Sequence, residues 1–247
     1  MKILACYSNK GGVGKTATAV NLALAFAQAG YRTLLCDLDP QGASGYYFRV
    51  KPSKKLTNEK FFTNVKRFTS AIRGSDYDNL DILPANMTFR DFDVFLSSMK
   101  KPQSQLTKAL KNVNEDYDII ILDCPPNISS LSENIFRAAD RIIIPVIPTT
   151  LSERTLEQLI KFFDENKIDS KKMMPFFSMV QRQKKMHIET MGRLKVVYPK
   201  MFLNEPIPFS TDIELMGVHR APVATFAKSR PATSAYNALW TELVVRI

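Results

Sequence analysis

Lys10-Gly11-Gly12-Val13-Gly14-Lys15-Thr16 sets three glycines, two lysines and a threonine between an apolar run and a segment of helical period. Glycines let such a loop wrap so that successive backbone N–H groups converge on phosphate oxygens. The helix that follows adds its positive N-terminal end. Lys15 is then placed for the β- and γ-phosphates of a nucleotide, and the Thr16 hydroxyl for Mg²⁺. A chance glycine turn is the competing reading, and the strand–loop–helix context leaves it little room. The phosphate-binding set runs from Lys10, Gly11, Gly12, Val13 and Gly14 through Lys15, Thr16 and Ala17.

Two further motifs carry carboxylates. Asp37-Leu38-Asp39-Pro40-Gln41-Gly42 closes an apolar run. Aspartates at the C-terminal end of a strand, facing the crevice of the glycine loop, suit a Mg²⁺ shell and a water nucleophile. Ile119-Ile120-Ile121-Leu122 ends in Asp123 and leads into Cys124-Pro125-Pro126-Asn127. A carboxylate closing a buried strand holds Mg²⁺ directly or through water. Thr16, Asp39 and Asp123 are the expected metal set.

The elements that must position these groups alternate in type. Strands are expected at 2–8, 32–37, 80–84, 118–123, 141–147, 175–180 and 202–207. Helices are expected at 15–29, near 89–99 and 104–114, and at 130–138, 152–166, 186–198 and 232–246. This order predicts an α/β fold, a mostly parallel twisted sheet with helices on both faces, in one domain over 1–247. Residues 49–79 show no clean period and are read as a basic, mobile insertion. Trp240 is expected to pack the last helix onto the core, and His187 and His219 are expected at the surface.

The 247 residues are 45% hydrophobic and 23% charged, the balance of an ordinary folded domain with ample core. The longest apolar runs fall far short of a bilayer span, and the N-terminus does not resemble a signal peptide. Cys6, Cys36 and Cys124 lie in or beside β-rich runs without metal-ligand spacing, which predicts reduced, buried thiols. The net charge is +10 and unevenly spread: residues 171–200 hold eight Lys/Arg against Glu189 alone, and residues 49–73 hold eight against Glu59 alone. Such bias points to a polyanionic partner rather than to a surface of alternating charge.

The ordinary phosphate-loop pattern fails at Asn9, where its first glycine would stand; the deviant form K-G-G-x-x-K-T fits, with Lys10 as the additional lysine. In this, and in D-x-D-P-Q and the D-x-P-P that ends the third motif, the chain resembles the ParA/MinD family of partition and positioning ATPases. The resemblance covers nearly the whole chain except 49–79. It implies ATP and Mg²⁺ as cofactors, and a catalytic set of Lys10, Asp39 and Asp123. Lys10 would cross a face-to-face homodimer to the partner's nucleotide, and Asp39 would position the attacking water. Met179, Pro208 and Phe209 would neighbour adenine. Asn127 would begin a loop that senses the γ-phosphate.

The resemblance further implies slow hydrolysis stimulated by a ParB-like partner protein, and ATP-dependent, non-specific DNA binding by a cytoplasmic, nucleoid-associated protein. Lys184, Lys185, Arg193 and Lys195 are the expected phosphate contacts, extended by Arg220, Lys228 and Arg230; the 49–73 segment is the rival location. The alternative is MinD-like membrane positioning, which needs a basic amphipathic tail. With the last helix ending near Ile247, no stable membrane anchor is expected. The cysteines do not suit an iron–sulfur ATPase of nitrogenase-reductase type, and no substrate pocket for a ligase of related fold is legible. The cargo is not legible either.

Overall fold

The computed structural model describes residues 1–247. Seven strands form one sheet: β1 (Lys2–Cys6), β2 (Thr33–Asp37), β3 (Arg73–Gly74), β4 (Leu80–Leu83), β5 (Ile119–Asp123), β6 (Arg141–Val146) and β7 (Met173–Phe177). Their order is β3-β4-β2-β5-β1-β6-β7, parallel except for the β3–β4 pair. Every residue of β2 and β5 is buried, as strands covered on both faces must be. Side chains along β5 alternate between layers, Ile120 and Leu122 to one and Ile119 and Ile121 to the other.

The helices divide between the same two layers. On one face lie α3 (Asn58–Thr63), α4 (Val65–Thr69), α5 (Phe92–Ser98), α6 (Gln105–Lys111), α7 (Ser130–Ala138), α8 (Thr150–Glu165) and α9 (Lys185–Val197). On the other lie α1 (Lys15–Gln28), α2 (Ala43–Tyr47), α10 (Thr211–His219), α11 (Val223–Phe226) and α12 (Pro231–Arg246). Helix α1 is buried almost all round because its Ala19, Leu22, Ala23 and Phe26 fill the space beneath α12. Trp240 packs its indole against Phe26, with ring centroids 6.0 Å apart. Gly30, at φ 90°, ends α1 in the left-handed conformation only glycine adopts freely.

Two expectations need correction. Residues 202–207 form no strand: Leu203 and Ile207 donate single bonds to Pro175 and Phe177, and a lone bridge joins Val180 to Pro208. Pro206 and Pro208 have no N–H, so a ladder cannot run through them. Residues 49–79, read as loose, instead carry α3 and α4, whose fully buried Phe61 and Phe68 pack on each other, Phe61 also on Phe89 and Phe92. Helices of five or six residues are too short to show a period, which hides them in the sequence. The short α2 and α11 escape a reading by period in the same way.

Candidate active site

Strand register brings the carboxylates together. Asp123 at the end of β5 sits level with Cys6 of β1 and Asp37 of β2. The glycine loop leaves β1 between β5 and β6, so it arches over this row. Gly12 and Gly14 take φ values of 69° and 95°, which the tight wrap demands. A Cβ at Gly14 would come 3.2 Å from the Ser178 hydroxyl, which donates to the Val13 carbonyl at 2.9 Å. None of the backbone N–H groups from Gly11 to Ala17 donates to a protein acceptor, and α1 has neither a side-chain cap nor an acidic residue in its first turn. Uncapped donors of this kind are matched to an anion.

Lys15 is only 8% exposed and donates to the Lys10 carbonyl at 3.1 Å. Burial pulls its ammonium below the usual lysine range, with Asp123 opposing. Lys10 points elsewhere: its ammonium donates to the Ser152 hydroxyl at 3.2 Å, at the start of α8, and forms no ion pair. Thr149 and Ser152 share a further hydroxyl contact at 3.1 Å.

The three aspartates have separate roles. Asp37 is fully buried and accepts from the backbone N–H groups of Ser44 at 3.0 Å, Gly45 at 3.4 Å and Asp39 at 3.2 Å. It holds the turn into α2 and is spent on backbone, and it stands outside the expected metal set of Thr16, Asp39 and Asp123. Asp39 is half-buried, and its Oδ1 accepts from the Gln41 N–H at 2.9 Å. Asp123 is fully buried; its Oδ2 accepts from the Ser44 hydroxyl at 2.8 Å and its Oδ1 has no partner. Burial pushes its carboxyl up to about 6, while the hydroxyls of Ser44 and Thr16 pull it back. An orphaned buried carboxylate oxygen beside the Thr16 hydroxyl is the hard-oxygen donor set Mg²⁺ takes. Asp123 and Thr16 would hold the ion. Ser44 and Ser152 carry no sequence signal, being ordinary serines outside any motif.

The loop after β5 is anchored by the Tyr7 hydroxyl, which donates to the Asn127 carbonyl at 3.1 Å. Past the end of β7, Pro208 and Phe209 line a cleft of ≈450 Å³ with Val180, Arg182, Gln183 and Pro231. Ser178, two residues before Val180, ties this cleft to the glycine loop. Met179 is half-buried, past the end of β7 at φ 53°, and does not line the cleft.

The basic residues are not equally free. Lys195 on α9 and Lys184 at its N-cap are exposed, as is Lys228 before α12. Lys185 pairs with Glu189 at 3.6 Å, both exposed. Arg193 donates twice to Glu153, Arg230 pairs with Asp212 at 3.3 Å, and Arg220 lies 4.6 Å over the Tyr46 ring. Helix α9 also exposes Met186, Ile188, Val196 and Val197, so its outer face is mixed. His187, expected at the surface, is 2% exposed; its Nδ1 accepts from the Gln181 N–H at 3.2 Å, and burial with Lys184 lowers its pKa. His219 is exposed as expected and stacks on Phe226. All three cysteines are free and buried.

Parallel sheet, glycine loop and strand-end carboxylate together define a P-loop nucleotide-binding protein. A family model described as an AAA domain matches residues 1–175, and the chain belongs to that family, on its ParA-type ATPase branch. It is 34% identical over 161 residues to the sporulation initiation inhibitor protein Soj of Bacillus subtilis, a match covering 64% of this chain and 63% of that one, under two thirds of the relative's length. It is 28% identical over 251 residues to the chromosome-partitioning ATPase Soj of Treponema pallidum, covering 99% and 98%. Among solved structures it is similar to cobyrinic acid a,c-diamide synthase from Mycobacterium smegmatis with bound ADP and magnesium, with a TM-score of 0.80, 24% identity and 98% and 94% coverage. That likeness shows the fold alone. No helix is long and apolar enough to cross a membrane.

Proposed function

We propose that this protein is an ATP-gated switch that positions or segregates a cargo. It binds ATP–Mg²⁺, forms a homodimer around the nucleotide and binds DNA non-specifically in that state. It hydrolyses ATP slowly until a ParB-like partner stimulates it, and it works in the cytoplasm on the nucleoid. The observation that carries this reading is Lys10, a loop cation held by a neutral hydroxyl rather than a carboxylate. A lysine so placed exchanges Ser152 for another subunit's phosphate without breaking an ion pair, which makes association depend on the γ-phosphate. The two Soj relatives support a positioning ATPase over a biosynthetic enzyme of the same fold.

DNA retention measured with ATP, with ADP and without nucleotide tests the reading. Retention confined to ATP is expected; equal retention in all three contradicts the gate. Liposome flotation run alongside separates the MinD-like alternative, in which ATP would drive the protein onto lipid instead.

A further inference from the structure

An open groove of ≈770 Å³ lies at the β3 edge of the sheet, lined by Lys54, Lys55, Lys66, Arg67 and Arg73 with Ser53, Asn64 and Ser70 between them. No carboxylate and no apolar side chain other than Pro52 borders it. None of the five cations takes part in an ion pair, although Arg32, Arg49, Arg137, Arg193, Arg230 and Arg246 all do. Five unpaired like charges around one concavity repel one another, so the arrangement does nothing for folding.

The charges stand on a fixed base. Phe61 and Phe68 plant α3 and α4 in the core with ring centroids 5.1 Å apart. The Asn64 side chain caps α4 by accepting from the Arg67 N–H at 2.9 Å. The Arg73 guanidinium donates to the carbonyls of Ser70 at 2.8 Å and Ile72 at 3.0 Å, which holds it at the rim.

We infer that this groove is a second binding site for the phosphate backbone of duplex DNA, separate from α9; the inference rests on the DNA-binding reading above and deepens it. The chemistry of the lining selects the ligand. An acidic peptide gains affinity from apolar anchors seated in pockets, and this groove offers none. A phosphodiester strand needs cations and small hydrogen-bonding side chains, which is what the groove contains. The geometry agrees: α3, α4 and α9 pack on the same face of the sheet, toward its opposite edges, β3 and β7. Six strand spacings of ~4.8 Å separate those edges by roughly 29 Å, close to the ~34 Å of one duplex turn.

The test compares wild type with a groove variant, Lys54→Gln/Lys55→Gln/Lys66→Gln/Arg67→Gln, and a helix variant, Lys184→Gln/Lys185→Gln/Lys195→Gln. Each is titrated with ATP into a random duplex of roughly 30 base pairs, about three turns, across a salt series. Thermal melting establishes that the variants fold. The groove variant is expected to lose at least about tenfold in affinity and to flatten the log–log salt slope by at least about two. A groove variant that matches wild type in affinity and slope overturns the inference and leaves the α9 reading standing. With poly-glutamate titrated alongside, a groove variant whose DNA binding is intact but whose poly-glutamate binding is lost also overturns it, and assigns the groove to an acidic protein segment. Wild type that binds no duplex with ATP defeats the DNA-binding reading itself, and the groove assignment with it.

Discussion

The Ser44 hydroxyl donates to Asp123 Oδ2 at 2.8 Å across 79 residues of chain, and so joins the start of α2 to the carboxylate that ends β5. With Oδ2 fixed in this way, Oδ1 stands unpartnered for Mg²⁺. Partners that orient a ligand without touching the ion commonly matter 10–100-fold to metal affinity. Ser44→Ala is therefore expected to weaken Mg²⁺-dependent ATP binding by about tenfold or more and to leave magnesium-free ADP binding close to wild type. Nucleotide titrations with and without Mg²⁺ check this. Equal losses in both would mean that Ser44 only supports the fold.

Asp39 and Lys15 separate turnover from binding. Asp39→Ala should keep ATP affinity and lose hydrolysis by about 10²-fold or more, in the range of a positioned acid–base group. Lys15→Ala should instead lose nucleotide affinity, because its ammonium is a principal positive charge on the β/γ-phosphates. Single-turnover assays beside binding isotherms distinguish the two. Undiminished turnover in Asp39→Ala would move the water-positioning role to Asn127 or Asp123.

How much of this is legible in the sequence follows from where the information sits. The glycine loop, Asp39 and Asp123 are contiguous motifs, and the β5 run of Ile119 to Leu122 is apolar on both faces, so motif and strand are read together. Asp37 and Asp39 look alike in sequence; only the backbone N–H groups of Ser44 and Gly45 show that Asp37 is spent on a turn. His187 looks like a surface residue because its neighbours are charged, yet it is an inward-facing position of α9, with Thr190 and Leu194. A strand at 202–207 follows from apolar content alone, and the prolines at 206 and 208 override it. Charge runs reveal composition but not pairing, so the commitment of Arg193 to Glu153 is invisible in them.

His187 makes stability depend on pH. Its Nδ1 accepts a backbone N–H, which requires neutral imidazole, and burial with Lys184 nearby lowers its pKa. Below the ordinary histidine value of about 6.5 the unfolded chain binds the proton and the folded one resists it. Stability is thus full above that value and falls as pH drops through it. The melting temperature of wild type should fall between pH 7.5 and 5.5 (conditions about one unit to either side of that value). In His187→Gln that part of the dependence should vanish. An unchanged pH profile in the variant would show His187 to be silent.

Pairing predicts which α9 charges meet DNA. Lys195 is exposed and unpaired, while Arg193 is committed to Glu153. Lys195→Ala should reduce the salt slope by about one for each phosphate the lysine neutralises, and so by up to about two in the dimer. Arg193→Ala should change it less and act mainly by loosening α9 from α8. Salt titrations of DNA affinity for both variants decide the order, and a larger effect from Arg193 would reverse it.

The central claim is that Lys10 reaches across a nucleotide-dependent dimer. Light scattering of wild type and Lys10→Ala, each with ATP–Mg²⁺ and with ADP, tests it most directly. Wild type should run as a dimer with ATP and mainly as a monomer with ADP, and Lys10→Ala should remain monomeric in both while still binding nucleotide. A dimer that forms without regard to nucleotide, and equally well in Lys10→Ala, would contradict the account.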